Sequence, residues 1–202
     1  MAISAFIMAG GRSSRMGTDK AWLRIGEQFV IERVINALKP VCDQLAIVTS
    51  KAKRAEYEKL GLTVFTDIIK DYGPLGGIHA ALTNSKNERV LIAACDLPFV
   101  TTELFERLIN VSTDYEIVVP LNQQSKTEQM CALYTKSCVP SIEIFFDEGV
   151  RTPRSLFESR KTKYLEWIEL SGLPGAEHFF DNLNTPEDYK RAMVTLSELI
   201  RE

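Results

Sequence analysis

The chain is expected to fold as an α/β protein in three layers, α/β/α, with helices on both faces of a mostly parallel sheet. Three observations carry this. Apolar runs of strand length alternate with helix-spaced segments from Ile3 onward, and crossovers long enough to hold a helix go with parallel pairing. The run Val90 to Ala94 is apolar throughout, as a strand covered on both faces should be. A long glycine-containing loop follows directly on the first apolar run, where ligands bind in sheets of this kind.

In chain order, Ile3 to Met8 reads as the first strand. Gln28 to Leu38 has helical spacing through Phe29, Val30, Val34, Ile35 and Leu38, and it ends before Pro40. Leu45 to Thr49 is a second strand, Ala52 to Leu60 a charged helix closed by Gly61, and Leu62 to Thr66 a third strand. Gly73-Pro74 marks a turn, after which Ile78, Ala81 and Leu82 begin a helix. After the fourth strand, Leu104 to Ile109 is helical, Glu116 to Pro120 a strand, Asn122 to Thr127 a polar loop and Met130 to Tyr134 another strand. Val139 to Phe146 looks helical, and Pro153 suits a first helical position. Tyr164 to Leu170 alternates like an edge strand. Thr185, Pro186, Glu187 and Asp188 start a final helix with a capping hydroxyl, proline in the first turn and acids beside it. No repeat or linker interrupts the 202 residues, so a single domain over 1–202 is expected.

Chemistry concentrates where strands end. The stretch Met8 to Lys20 holds Gly10, Gly11, Gly17, Arg12, Arg15, two serines, Asp19 and Lys20. Glycine amides can converge on an anion, and guanidinium and ammonium groups add full charge, a combination suited to polyphosphate. Gly17 is followed by Thr-Asp-Lys-Ala rather than Lys-Ser/Thr, so the loop is no Walker A, and G-x-G-x-x-G is absent. Gly76 and Gly77 allow close backbone approach near a helix start. Asp96 follows the most buried strand, where an unpaired carboxylate is costly and a magnesium ion is an apt partner. Its alternative role as a helix cap is weaker, because Thr101 and Thr102 sit closer to the next helix. Asn182 and Asn184, two apart in an extended segment, face one side. Arg151 and Arg154 suit either an acceptor phosphate or an ordinary surface.

The string MAGGRSSRMGTDK resembles the first-loop signature of the MobA-like nucleotidyltransferases, with Met8 in place of a leucine. Three further stretches match in order: GPLGG at Gly73 to Gly77, CDLP at Cys95 to Pro98, and NLNTPED at Asn182 to Asp188. The resemblance is weakest from Gln123 to Gly175, and the segment near Glu128 and Gln129, which in the family often faces the acceptor, is atypical. It implies a Rossmann-like fold of the nucleotide-diphospho-sugar transferase type and transfer of GMP from GTP to molybdopterin, or Mo-molybdopterin, with release of pyrophosphate. By the same resemblance Met8, Ala9, Gly10, Gly11, Lys20, Thr49, Asp67, Gly76, Gly77 and Asp96 bind the nucleotide. Lys20, Arg15 and Asp96 are catalytic, Asp96 holds Mg2+, and Asn182 and Asn184 meet the acceptor. Thr49 departs from the family's asparagine, and the glycine pair Gly10-Gly11 leans toward GTP. Molybdenum cofactor biosynthesis and molybdoenzyme-maturation proteins are implied as partners. Alternatives are a cytidylyl or sugar-phosphate nucleotidyltransferase of the same superfamily, or a non-catalytic GTP- and molybdopterin-binding adaptor.

Composition sets the outer bounds. Hydrophobic residues at 45% and charged residues at 25% are ordinary for a globular protein, and a net charge of -3 gives no bulk attraction to nucleic acid or anionic lipid. A nucleotide must therefore be met by local positive charge. No signal peptide or membrane span is read, so a cytoplasmic location is expected. Cys42, Cys95, Cys131 and Cys138 show no C-x-x-C and the chain has only two histidines, which favours free thiols over a disulfide framework or zinc site.

Overall fold

The computed structural model describes residues 1–10, 19–66 and 72–200. Gly11, Arg12, Arg15, Gly17, Asp67 and Asp71 lie outside the described residues, and with them the middle of the first loop.

Strand β1, Ile3–Met8, is buried along its whole length and pairs in parallel on both sides. Its side chains alternate between two cores: Ile3, Ala5 and Ile7 enter one, Phe6 and Met8 the other. A strand with no polar face can only sit mid-sheet between covering layers. A small hairpin follows, β2 (Arg24–Ile25) and β3 (Gln28–Phe29), turning at Gly26 with φ +65°. Helix α1, Val30–Leu38, therefore starts later than the helical spacing predicts; Gln28 and Phe29 are spent in the hairpin, and the Glu32 carboxylate accepts from the Phe29 N–H at 2.8 Å.

Strand β4, Gln44–Thr49, runs parallel to β1. The predicted helix over Ala52 to Leu60 is a single α-turn, α2 (Arg54–Tyr57), between two 3₁₀ turns, and Gly61 closes it in the left-handed conformation. Strand β5 is Thr63–Thr66. Helix α3 spans Gly73–Asn84, so Gly73-Pro74 is a helix start rather than a preceding turn. Gly73 takes φ +54°, and Pro74 occupies the first turn, where a missing N–H costs nothing.

Strand β6, Arg89–Ala94, lies beside β1, and α4, Thr102–Asn110, is capped by the Thr101 hydroxyl. Strands β7 (Ile117–Pro120) and β8 (Cys131–Thr135) are antiparallel to each other. Then come α5 (Val139–Asp147), α6 (Pro153–Ser159), β9 (Thr162–Leu165) and α7 (Pro186–Leu199). The alternating stretch Tyr164 to Leu170 does not continue as strand, because the Glu169 carboxylate folds back to the Glu166 N–H at 3.0 Å and closes a 3₁₀ turn.

The seven-stranded sheet has the order β5-β4-β1-β6-β8-β7-β9. Only β8 runs against the rest. One core joins α1 and α4 to the sheet; the other is filled from α3, α5 and α6 by Leu75, Ile78, Ile142, Leu156 and Phe157. Each fully buried Leu, Ile or Phe contributes about 1.5–3 kcal/mol before entropy is counted, so two such layers fix the sheet edge on which the site is built. All four cysteines are free.

Candidate active site

The C-terminal ends of β1, β4 and β6 open onto one cavity of about 600 Å³. Its walls include Met8, Gly10, Thr49 and Ser50 on one side, Gly73, Pro74 and Gly77 from the start of α3, Cys95 to Leu97 centrally, and Thr127 to Met130 with Asn182 and Asn184 beyond.

The strand ends are tied before any ligand is considered. Ala9 donates to the Val48 carbonyl at 2.8 Å, its own carbonyl accepts from the Thr49 hydroxyl at 2.9 Å, and Met8 O accepts from the Cys95 N–H at 3.1 Å. Thr49 is buried and its proton is committed to Ala9. Ala9 and Gly76 are buried and contribute no wall to the cavity, whereas Met8, Gly10, Thr49 and Gly77 do. A Cβ on Gly10 would meet no atom of the described residues within 4 Å, and Gly10 forms part of the cavity wall; a Cβ on Gly77 would come within 2.5 Å of the Met8 methyl. Gly77 is thus where α3 closes on β1.

Lys20 and Asp96, distant in sequence, meet here. Lys20 Nζ donates to Asn184 Oδ1 at 2.6 Å and lies 3.5 Å from Asp96 Oδ2. Both charged side chains are about one-fifth exposed. Burial pushes the Asp96 carboxyl above its ordinary value of 3.8, and the Lys20 ammonium pulls it back only in part.

Two local devices hold this trio. Asp19, capping the 3₁₀ turn Lys20–Trp22, accepts at one oxygen from Lys53 Nζ (2.8 Å) and the Tyr57 hydroxyl (2.9 Å), and at the other from the Ala21 N–H. Tyr57 is fully buried and stacks on Trp22 with ring centroids 5.6 Å apart, so Asp19 is pinned to α2 and Lys20 projects from a fixed base. On the other side, Leu183 is buried and its N–H bonds Asp96 O at 3.1 Å, which turns Asn182 and Asn184 together to the cavity, as their spacing predicts. The Asp188 carboxylate then accepts from the Asn184 and Thr185 N–H groups, while Thr185 Oγ caps α7. Glu187 and Asp188 are explained by the helix start alone.

Residues outside the site set read from the sequence also line the cavity: Val48, Ser50, Gly73, Pro74, Ala94, Cys95, Leu97 and Thr127 to Met130. The signal for the last group is topological. Because β8 runs backward, the residues before it, not after it, reach the edge where the parallel strands end. Arg154 is exposed and pairs with Glu158, one helical turn on, and Arg151 lies over the Tyr72 ring at 5.5 Å to the centroid. Neither forms a wall of the cavity. Among the described residues no cluster of three or more His, Cys, Asp or Glu side chains could enclose a metal, and no helix is long and apolar enough to cross a membrane.

Residues 5–163 match the model of the MobA-like NTP transferase domain. A probable molybdenum cofactor guanylyltransferase of Clostridium perfringens (strain 13) is 37% identical over 194 residues, covering 93% of this chain and 94% of that one. One from Carboxydothermus hydrogenoformans is 34% identical over 195 residues, covering 96% and 97%. Among solved structures, molybdopterin-guanine dinucleotide biosynthesis protein A from Archaeoglobus fulgidus superimposes with a TM-score of 0.82 at 27% identity, covering 96% of this chain and 99% of that one.

Proposed function

This chain belongs to the MobA-like NTP transferase family, and we propose that it transfers GMP from GTP to the phosphate of molybdopterin, or of Mo-molybdopterin, releasing pyrophosphate. The product is the molybdopterin guanine dinucleotide cofactor. The observation that carries the reading is the trio of Lys20, Asp96 and Asn184, which meets beside the cavity at the ends of β1, β4 and β6, with Asp96 and Asn184 forming part of its wall.

An acceptor phosphate oxygen attacks the α-phosphorus in line. As that bond forms, the bond to the β-phosphate oxygen breaks and pyrophosphate leaves with the electron pair. Such a reaction asks the protein for alignment and charge neutralisation rather than a nucleophile. The Lys20 ammonium, held by Asn184, neutralises phosphate oxygens and the departing pyrophosphate. Gly10, with no side chain, lets the nucleotide approach the end of β1, and the first turn of α3 presents a positive helix end at the cavity wall. Arg15, Gly11 and Asp67 belong to the same reading through the family resemblance, with Asp67 toward guanine.

Asp96 fits a magnesium ion. Its carboxylate is mostly buried, its charge is only partly compensated by Lys20, and a single carboxylate suits an ion that keeps waters and takes substrate phosphates as its other ligands. Bound there, Mg2+ would supply charge neutralisation on the phosphate oxygens. Asp96 and Lys20 together keep that position polar within apolar walls built from Met8, Leu97 and Met130. In this reading the chain serves molybdenum cofactor biosynthesis in the cytoplasm, with molybdoenzyme-maturation proteins downstream.

The test is direct. The purified chain, given Mg2+ and molybdopterin, is expected to release pyrophosphate with GTP and to yield the dinucleotide. Equal or better turnover with CTP or UTP overturns the guanylyl assignment, and GTP binding without pyrophosphate release with any acceptor overturns catalysis.

A further inference from the structure

The segment before β8 forms the cavity wall on the side away from Gly10 and Thr49. Met130 O accepts from the Ala94 N–H at 2.7 Å, which lays this segment against the end of β6, the strand that leads into Asp96. Within it Glu128 is held with unusual completeness for a loop carboxylate. Its N–H bonds Pro120 O and its carbonyl accepts from Cys131, both at 2.9 Å. Its Oε1 accepts from Asn122 Nδ2 at 2.7 Å. Asn122 is itself fixed, since its Oδ1 accepts from the Gln124 and Lys126 N–H groups at 2.9 and 3.1 Å, leaving the amide nitrogen turned to Glu128.

The second oxygen of Glu128 has no hydrogen-bond partner among the described residues. Burial pushes this carboxyl above its usual range, while Asn122 and the Lys126 charge offset the effect in part. A half-buried acceptor oriented by one amide and left open at the other oxygen gains most from a ligand that brings N–H donors.

We infer that the Glu128 carboxylate reads the donor edge of a 2-amino-4-oxo heterocycle, the pterin of the acceptor, and so governs which acceptor the enzyme takes. This rests on the reaction proposed above. Guanine carries the same pair of donors, a ring N–H beside an exocyclic amine. Position separates the two: Glu128 stands on the β6–β8 side of Asp96, and the first loop, with Gly10, stands on the β1–β4 side. With the triphosphate on the first loop, the heterocycle nearest Glu128 belongs to the second substrate.

The experiment compares wild type with Glu128→Gln, which keeps the size and replaces one acceptor oxygen by a donor, and with Asn122→Ala, which keeps the carboxylate and removes its guide. KM is measured for molybdopterin and for GTP, and transfer is inhibited with 2-amino-4-oxopteridine or with 2,4-dioxopteridine, which lacks the amine. Wild type should prefer the amino compound; E128Q should lose that preference and raise the molybdopterin KM roughly ten- to hundred-fold, with the GTP KM unchanged. N122A should move the same way by less, and it carries the test if E128Q does not fold. An unchanged preference, or a rise in the GTP KM instead, overturns the inference while the proposed reaction stands. Failure of the wild type to make the dinucleotide removes both.

Discussion

The two halves of the sheet build their shares of the cavity in opposite ways. From β5 to β6 the strands are parallel, and the described residues that reach the cavity from the ends of β1, β4 and β6 lie in short stretches: Met8 and Gly10, Thr49 and Ser50, Cys95 to Leu97. Beyond β6 the neighbouring strand β8 runs backward while β7 and β9 run with the rest, and the cavity is reached by the hairpin ahead of β8, through Thr127 to Met130. The first arrangement offers charge and backbone at strand ends, a set suited to phosphate; the second offers an oriented carboxylate and amides. Asp96 stands in the turn that follows β6, the strand at which the two halves join. On the proposed reaction, the parallel half takes the nucleotide and the side around β8 takes the acceptor.

Substitutions sharpen or break this division. Asp96→Asn should strike both halves, lowering turnover roughly 100-fold or more in a pyrophosphate-release assay. The same change should raise thermal stability of the metal-free protein at neutral pH. The sign follows from burial: the folded carboxyl sits above its ordinary value of 3.8, so the folded state holds the proton more tightly than the unfolded chain. Its stabilising share is present at low pH and is lost as pH rises through the interval between the unfolded and folded values. The advantage of the asparagine variant in melting temperature should therefore shrink as pH is lowered toward 4, about the unfolded value. A variant less stable than wild type at pH 7 would mean that Lys20 outweighs burial.

Lys20→Met should act chiefly on the parallel half, raising the GTP KM or lowering turnover roughly tenfold or more, since hydrogen bonds to charged groups contribute about 1.5–3 kcal/mol. A rise confined to the acceptor KM would break the division. Asn182→Ala belongs to the other half and should raise the acceptor KM about two- to tenfold with GTP handling intact, the range of a neutral hydrogen bond. Tyr57→Phe is the smallest change. It removes one of the donors on Asp19 and should cost about 1 kcal/mol, or a melting shift of roughly 2–4 °C, with a modest loss of turnover because Lys53 still holds Asp19.

Much of the parallel half was legible in the sequence because each of its signals is local. Val90 to Ala94 is apolar on every residue and Ile3 to Met8 on all but the buried Ser4, as suits strands covered on both faces, and Asn182 and Asn184 alternate around a buried Leu183. Errors fell where a local pattern had two solutions. Gly73-Pro74 suits a turn or a helix start, and the packing of Leu75 and Ile78 under the sheet decided for the helix. Gln28 and Phe29 fit the helical spacing, yet pairing with Arg24 and Ile25 took them into a hairpin. Glu128 carries no spacing signal at all; its position depends on β8 being antiparallel.

By itself the sequence determined the α/β alternation, the glycine-rich first loop with its cations, the acidic end of the fourth apolar run and the asparagine pair, since each depends on neighbours a few residues away. Only the tertiary structure decided that Lys20 meets Asp96 and Asn184 across most of the chain's length, that Asp19 is anchored by Tyr57 and Lys53, and that Glu128 faces the same cavity. Those contacts follow from strand order and direction, which are set by the burial of both sheet faces at once and are written in no single stretch of residues.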